Sequence, residues 1–571
     1  MTAILGINCS GYHSSACLLI NGQIAAAITE ERITRIKQDK SFPTKAIRYC
    51  CNTANISLTE VTDIFIGWNP AYYMHRSDNM LHNAMKDRGK VSYLALNELA
   101  LLNNTPLNGG AQMAIHQEIE TISTHWRIHF VDHHEAHAAN GFFQSAFQKA
   151  DALIIDGFGE VSSGFAGTIT HGGVKIYAVN RTPHSLGLLY TAFTDFLGFK
   201  PNGDEWKVMA LASLGDPAIY YDLIRPMVKV DGVRYEVDLS FFESFLYFTP
   251  HYYSPKLVEL FGDPLRCGAV LTEREYNIVA AVQRVTEETI FELLTNLHQQ
   301  TGNENLIVGG GVFMNSVVNG QLYDKTPYKD IFIGGSPDDS GISVGSALFG
   351  SNYVLAEKTN IPRSQHNSFG KTYTNETIEA ELKQRKLRYH MIDDPAQVAA
   401  MHIWDKKIVG WFQGASEFGQ RALGNRSILA DPTDPKTKDL VNATIKYRES
   451  FRPFAPAILA ERQPEIFVSK TDQTSYFMEK VFSFQEDWKA HVPAVVHFDG
   501  SGRLQTVARD VTPLYYEMIA QFEALSDTPI VLNTSFNVNG MPLVETPGDA
   551  INCFYQSGID TLIIHNYIVE K

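Results

Sequence analysis

The sequence predicts a mixed α/β protein built from more than one domain. Short apolar runs such as Ala3-Ile4-Leu5-Gly6-Ile7 and Ala152-Leu153-Ile154-Ile155 lead into turns rich in glycine, serine or aspartate and alternate with longer stretches of helical period. A chain of 571 residues with 44% hydrophobic content is longer than one core ordinarily organises. A polar run around Pro362 without apolar periodicity marks a break. These features place a first domain at 1–355, a linker at 356–375 and a second domain at 376–571.

Composition removes several classes of function. The chain carries 63 acidic against 48 basic residues, a formal net charge of −15, which argues against an extended nucleic-acid track because phosphate neutralisation needs clustered cations. The six cysteines (Cys9, Cys17, Cys50, Cys51, Cys267, Cys553) are sparse and lack C-x-x-C spacing, so neither a disulfide framework nor a cysteine zinc site is expected. No apolar run reaches bilayer length, and Met1 leads straight into a strand without a basic, apolar leader. The expectation is a cytoplasmic protein with no membrane and no nucleic-acid partner; the sequence sets no oligomeric state.

Taken in order, Ala3 to Cys9 reads as a buried strand, and Ala16 to Ile20 with Ile24 to Thr29 as a hairpin turning at Asn21-Gly22. The connection Ser10-Gly11-Tyr12-His13-Ser14-Ser15 exposes backbone N–H groups suited to an anion and adds the titratable His13, although an ordinary turn with a surface histidine has the same composition. Glu30-Glu31-Arg32 reads as a charged strand exit, and Ser41-Phe42-Pro43 as a helix start. Residues 56–124 show no recognisable chemistry.

A short strand from His125 to Val131 then leads into Asp132-His133-His134-Glu135-Ala136-His137-Ala138-Ala139. His133 and His137 lie one turn apart on one helix face, the spacing with which a helix offers two imidazoles to a metal, and the alanines permit close packing. An isolated H-x-x-x-H does not make a metal site. Two later strands that end in carboxylates supply groups able to complete one.

The first of these, Ala152 to Ile155, ends in Asp156-Gly157-Phe158-Gly159. An acid at a strand end followed by Gly157 and Gly159 suits a metal-bound nucleotide, while Asp-Gly is equally a hairpin-turn signal. Ser185 to Gly198 reads as a helix, and Pro201 to Ala212 as a loop, either lid or solvated, followed by a helix. A long amphipathic helix spans Glu273 to Thr301. The strand Asn305 to Val308 opens into Gly309-Gly310-Gly311 and continues to Asn315, where Gly310 and Gly311 would let an adenine or ribose lie against backbone; the run lacks both G-x-G-x-x-G spacing and a Walker lysine. The second carboxylate strand, Ile331 to Ile333, leads to Asp338-Asp339-Ser340-Gly341 and a small-residue helix through Ala347. This order of hairpin turn, Asp-Gly turn and strand–glycine turn is that of the actin-like ATPase fold, an analogy that does not itself establish a reaction.

In the second domain, the strand Lys407 to Phe412 precedes Gln413-Gly414-Ala415-Ser416-Glu417-Phe418-Gly419-Gln420-Arg421-Ala422-Leu423-Gly424-Asn425-Arg426-Ser427. Its glycines and arginines replace apolar period, so the run reads as a binding loop. Arg421 and Arg426 offer planar two-pronged donors to phosphate oxygens, with Ser427 adding a hydroxyl. Basic residues recur in Lys446-Tyr447-Arg448, in Arg452-Pro453-Phe454-Ala455-Pro456 and in Gly502-Arg503, and a late strand, Pro529 to Leu532, ends in Asn533-Thr534-Ser535-Phe536-Asn537.

These motifs, His133-His134-x-x-His137-Ala138, Ser185-Leu186-Gly187, Glu417 to Ser427, Arg452 to Pro456 and Asn533 to Asn537, resemble nearly end to end the O-carbamoyltransferases of antibiotic and nodulation-factor biosynthesis. The resemblance implies an actin-like N-terminal domain and a YrdC-like α/β C-terminal domain. It also implies two sites: one forms carbamoyl-adenylate from carbamoyl phosphate and ATP, with Mg2+, and the other moves the carbamoyl group to a hydroxyl of a small natural product or sugar. His133, His137, Asp156 and Asp339 correspond to the ligands of Fe(II) or another divalent transition metal, and His13 to the base beside the acceptor. Asp339 is preferred over Asp338 because it directly precedes Ser340-Gly341. Arg421, Lys446, Arg452, Arg503 and Asn533 correspond to the carbamoyl-phosphate and nucleotide set. Ser14, Gln420 and Met541 depart from the pattern, where Asp, Pro and Glu are usual. Two rival readings, a tRNA threonylcarbamoyladenosine-type synthase and a non-catalytic actin-like nucleotide sensor, conflict respectively with the acidic charge and with the arginine clusters. Loops from Tyr72 to Asp78 and from Phe241 to Tyr253 are the expected shapers of the acceptor pocket.

Overall fold

A computed structural model describes residues 2–10, 12–69, 126–244, 249–359, 361–447, 452, 454–469 and 473–571. The loop expected at Tyr72 to Asp78 lies outside them. Two compact units divide the chain: residues 1–30 with 39–364, and residues 31–38 with 365–571. The recruitment of 31–38 into the second unit is not foreshadowed by composition.

The first unit holds two five-stranded sheets of one topology. In the first sheet β1 (Ala3–Asn8), β2 (Ser15–Ile20), β3 (Gln23–Thr29), β4 (Asp63–Ile66) and β5 (Arg127–Phe130) lie in the order β3-β2-β1-β4-β5, with an antiparallel hairpin arm and parallel β1, β4 and β5. The second repeats this as β8-β7-β6-β11-β12, from β6 (Lys149–Ile155), β7 (Ser162–Thr170), β8 (Gly173–Arg181), β11 (Asn305–Gly309) and β12 (Asp330–Ile333). Between these fall a small ribbon of β9 (Val228–Asp231) and β10 (Arg234–Val237). The duplicated α/β half is the arrangement of the actin-like fold.

Small residues let the layers approach. A Cβ on Gly6 of β1 would sit 1.9 Å from the Ser343 carbonyl oxygen, and one on Gly345 would sit 1.9 Å from that of Ala136. Glycine at both positions allows the helix Ile342–Phe349 to pack on β1 and on the helix His133–Ser145.

Glu30-Glu31-Arg32 follows directly on the end of β3 at Thr29, as a charged strand exit. It begins a short helix, Glu30–Thr34, and all three side chains are buried. Each has a protein partner in place of water: Glu30 accepts from the Lys45 and Ala46 amides at the start of the helix Thr44–Thr53, where Pro43 gives no side-chain cap, and Glu31 accepts from the Gln38 amide. Arg32 donates to the Glu417 and Gly419 carbonyls within the second unit.

The second unit is built on one ten-stranded mixed sheet. Its strands are β13 (Tyr389–Met391), β14 (Val409–Phe412), β15 (Arg426–Ala430), β16 (Ala455–Leu459), β17 (Phe467–Val468), β18 (Lys480–Phe484), β19 (Ser501–Val507), β20 (Ile530–Ser535), β21 (Thr561–Ile564) and β22 (Tyr567–Glu570). They run in the order β13-β22-β21-β14-β15-β20-β16-β19-β18-β17. Alternation gives the sheet two cores. Trp411, Leu429, Ala457 and Val531 pack with the helices Pro395–Trp404 and Pro513–Ser526, and Phe412, Ile428, Ile458 and Leu532 face the opposite core. Five cysteines are buried, Cys267 is exposed and all six are free. Among the described residues no helix is long and apolar enough to cross a membrane.

Candidate functional site

In the first unit, Asp132 caps the helix His133–Ser145 by accepting from the His134 and Glu135 amides, and this fixes the first turn that carries His133 and His137. Both imidazoles are buried and aim Nε2 at two carboxylates. His133 Nε2 lies 3.3 Å and His137 Nε2 3.0 Å from Asp156 Oδ2, and each lies 3.6 Å from Asp339 Oδ1. One ligand atom from each of the four residues falls within 4.8 Å of every other.

The carboxylates are held by backbone. Asp156 stands just beyond β6, and its Oδ1 accepts from the Gly157 and Gly311 amides at 2.7 and 3.1 Å, leaving Oδ2 for the histidines. Gly310, at φ +92, packs where a Cβ would meet the Ile155 carbonyl at 2.2 Å, which brings the glycine run against the end of β6. Gly159 packs against the His134 and His133 side chains. Asn315 caps the helix Ser316–Lys325 and bonds to Gln283. Of the adjacent acids, Asp339 faces the histidines, while Asp338 accepts from the Ser340 hydroxyl.

Burial opposes protonation of His133, yet the facing Asp339 and Asp156 hold it well above the ordinary imidazole range. His137 is likewise raised by the same carboxylates against its burial. Burial would raise Asp156, but its bonds to both histidines carry it well below the usual carboxylate range. Burial, reinforced by His133, pushes His134 well down; its Nδ1 bonds to the Ser162 hydroxyl instead of joining the cluster. Glu160, which sequence inspection passes over, is pushed up to about 8 by burial and by Asp132, and accepts from the His133 and Asn69 amides.

Two convergent imidazole nitrogens and two carboxylate oxygens fit a divalent transition metal by donor type and by convergence. Binding must then expel the imidazole protons, so affinity should rise with pH across the raised histidine range, by up to about tenfold per pH unit for each proton displaced. The stability signs follow from the same shifts. Without metal, the raised histidines contribute stability that is complete below about pH 6.5 and is lost as pH rises through their folded values, whereas Asp156 contributes above about pH 3.9 and loses its share as pH falls. Melting temperatures of chelated and zinc-loaded protein should diverge on the alkaline side, as followed by calorimetry.

His13 occupies a left-handed backbone position, φ +45, in the loop between β1 and β2. Around it, Tyr12 packs edge-on to Phe158, and Trp68 packs edge-on to both Phe158 and His133. The expected pocket segment from Phe241 to Tyr253 is described only outside 245–248, and there Phe242 bridges to Tyr253.

In the second unit, Gln505 on β19 pairs with Ala457 on β16, Arg503 stands two residues before Gln505 on the same strand, and Ala455 of β16 pairs with Asn533 on β20. Asn533 and Gln505 are joined at 2.7 Å, and together they grip the Arg421 loop, since Asn533 donates to the Ala422 carbonyl and Gln505 to that of Leu423. Glu417 Oε1 accepts from the Leu423, Asn425 and Arg426 amides, and Arg32 holds the Glu417 and Gly419 carbonyls. Thus Arg421, Asn533 and Arg503 share one neighbourhood, and Arg452 lies three residues ahead of Ala455. Lys446 is buried and commits its ammonium to Ser535 and to the Asn537 carbonyl and side chain at 2.9 and 2.7 Å.

The expectation that Arg426 and Ser427 offer donors to phosphate is corrected. Arg426 is 0% exposed, donates to the Gln413, Gly414 and Asn425 carbonyls and stacks 3.6 Å over Phe412, while the buried Ser427 hydroxyl accepts from the Gly424 amide. Strand alternation sets Arg426 on the face of β15 that carries Ile428 and Ala430, which belong to one of the sheet's two cores. Glu417, Gln505 and Arg32 are the loop-holding residues that reading by motif missed.

With this geometry in hand, comparison with known proteins gives two family matches: the carbamoyltransferase N-terminus model over residues 3–348 and the carbamoyltransferase C-terminus model over residues 400–571. An uncharacterized protein of Synechocystis sp., sll1178, is 37% identical, the match covering 100% of this chain and 97% of that one. Nodulation protein NolNO of Sinorhizobium fredii is 35% identical over 98% of this chain and 79% of its own. Nodulation protein NolO of Bradyrhizobium diazoefficiens is 36% identical over 77% of this chain and 79% of its own.

Proposed function

We propose, from the premise that this chain belongs to the carbamoyltransferase family, that it runs carbamoyl transfer as two reactions at two sites. It is a carbamoyltransferase. The observation that carries the two-site reading is the separation of its polar machinery. The cluster of His133, His137, Asp156 and Asp339 lies in the first unit, and the residues around Arg421, Asn533 and Arg503 lie in the second.

We read the second unit as a YrdC-like domain that takes carbamoyl phosphate and Mg2+-bound ATP to carbamoyl-adenylate. With one water consumed, the balanced products are carbamoyl-adenylate, pyrophosphate and phosphate. Water takes the phosphoryl group of carbamoyl phosphate, breaking its P–O bond to the carbamoyl group and releasing phosphate and carbamate, and a carbamate oxygen then bonds to the α-phosphorus as pyrophosphate leaves. Several anionic groups then crowd one site, and oriented guanidinium donors answer that need by binding phosphate oxygens and stabilising the charge that develops in transfer. We assign those contacts to Arg421, Arg452 and Arg503. Lys446 supports them by fixing the Ser535 and Asn537 carbonyls, and Asn533 by fixing that of Ala422.

In the first unit the acceptor hydroxyl oxygen attacks the carbamoyl carbon, AMP leaves, and we assign His13 to take the hydroxyl proton. His133, His137, Asp156 and Asp339 would hold Fe(II), our first choice within a donor set that also suits Zn(II) or Mn(II). When bound, such a cation supplies Lewis-acid neutralisation of the adenylate phosphate. Gly157 and Gly311 orient Asp156 through their amides. The acceptor class we propose is a hydroxyl of a small natural product or sugar.

The test is incubation of the full chain with ATP, Mg2+ and carbamoyl phosphate, followed by mass spectrometry. Pyrophosphate and carbamoyl-adenylate should appear before any acceptor is added, and their joint absence would overturn the two-step reading.

A further inference from the structure

We propose that Asn8 is a positioning residue that holds the His13 loop and the Asp339 turn in one register. Asn8 closes β1, is fully buried, and faces Ser15 across the neck of the loop. Its Nδ2 donates to the Tyr12 carbonyl at 2.8 Å and to the Asp339 carbonyl at 2.8 Å, with the His13 carbonyl also within reach at 3.3 Å. Its Oδ1 accepts from the Ser10 amide at 3.1 Å. One amide group therefore bonds both ends of the loop and the turn some 330 residues later in sequence. Three carbonyls around one nitrogen also fix which way the amide faces, because its oxygen there would confront all three.

The opposite side of the neck repeats the contact. The Ser15 hydroxyl bonds to the Ser340 carbonyl at 2.9 Å and to the Ser343 hydroxyl at 2.8 Å. Asn140, from the helix that carries His133 and His137, donates to the Ser336 carbonyl at 2.8 Å and so ties that helix to the approach to the same turn. The Asp339 backbone is thereby held from the strand that launches His13, and its carboxylate from the histidine side. The loop and the turn therefore keep a fixed offset from each other, which is what a reaction between a metal-held phosphate and a base-held hydroxyl requires.

The inference rests on the metal reading of the four-residue cluster, so the experiment separates the two. In full-length protein, Asn8→Ala and the isosteric Asn8→Asp are compared with the parent by hydrogen exchange of segments 9–15 and 338–342, by Co(II) affinity and by the Co(II) visible spectrum. Exchange should quicken in both segments together, Co(II) affinity should fall about tenfold to a hundredfold, and the spectrum should shift. Asn8→Asp should be the worse variant although it conserves volume, because its carboxylate faces three carbonyls. Pyrophosphate release should stay within about twofold of the parent. Unchanged exchange, exchange confined to one segment, or an unaltered Co(II) spectrum in both variants would overturn the proposal. Failure of the parent itself to take up Co(II) would instead overturn the metal reading, with the exchange result still deciding whether Asn8 couples loop and turn.

Discussion

Asp156→Asn is expected to abolish metal uptake and to slow carbamoyl transfer on the order of a thousandfold, while pyrophosphate release by the same protein stays within about twofold of the parent. The two carboxylate oxygens have separate partners. Oδ1 is fixed by the Gly157 and Gly311 amides, and Oδ2 faces His133 Nε2 and His137 Nε2. An amide of the same shape satisfies only one side. If its oxygen stays with the backbone amides, its NH2 points at two imidazole nitrogens. If it flips, that NH2 confronts two N–H groups. In either orientation one of the two anionic charges facing the histidines is gone, leaving Asp339 alone, and several kcal/mol of charge stabilisation go with the cation. Metal analysis of the purified variant, with both half-reactions assayed, decides the matter. A variant that retains bound metal and transfers at the parental rate would remove Asp156 from the site.

The halves of this prediction differ in how legible they were. His133 and His137 could be placed on one face from spacing alone, and the ends of β6 and β12 were visible because apolar runs stop abruptly in Asp-Gly and in Gly-Gly-Ser, the latter leading to Asp338-Asp339. Local periodicity carries that information. What it does not carry is which donor meets which distant carbonyl. Asn8 looks like a polar residue at a strand end, and nothing near it in sequence indicates a bond to Asp339. Glu160 looks like one more acid, yet it accepts the first amide of the helix that carries His133 and His137. Arg32 and Arg426 mislead in a more systematic way. A guanidinium in a glycine-rich or charged run suggests solvent and ligands, but both are buried and satisfy backbone carbonyls, Arg32 across nearly four hundred residues of sequence. For Arg426 the strand parity shared with Ile428 and Ala430 gives the face but not its covering, and for Arg32 burial depends on a long-range topology that no local pattern supplies.

Arg421 and Arg426 stand five residues apart yet differ in burial, the one partly exposed and the other enclosed. Arg421→Lys should lower pyrophosphate formation about a hundredfold to a thousandfold, leave transfer from externally supplied carbamoyl-adenylate near the parental level, and leave the melting temperature nearly unchanged. The backbone on both sides of Arg421 is immobilised. Arg32 holds the Gly419 carbonyl, Asn533 the Ala422 carbonyl and Gln505 the Leu423 carbonyl, while three amides that follow are gathered on Glu417. Gly424, at φ +108, lies where a Cβ would strike the Tyr515 ring at 2.2 Å, so the loop has little room to readjust. Arg421 is partly exposed, unlike Arg426. On a frame this rigid, replacing a planar fork by a single flexible ammonium keeps the charge but loses paired, oriented bonds to phosphate. The loss therefore appears in the rate of the first reaction rather than in folding. Arg426→Lys supplies the contrast: it removes carbonyl partners and the stacking contact from a buried position, so it should destabilise the second unit by about 3 kcal/mol or more. Thermal melting together with the two half-reaction assays separates the outcomes. If Arg421→Lys formed pyrophosphate at the parental rate, the loop would have to be read as structural throughout.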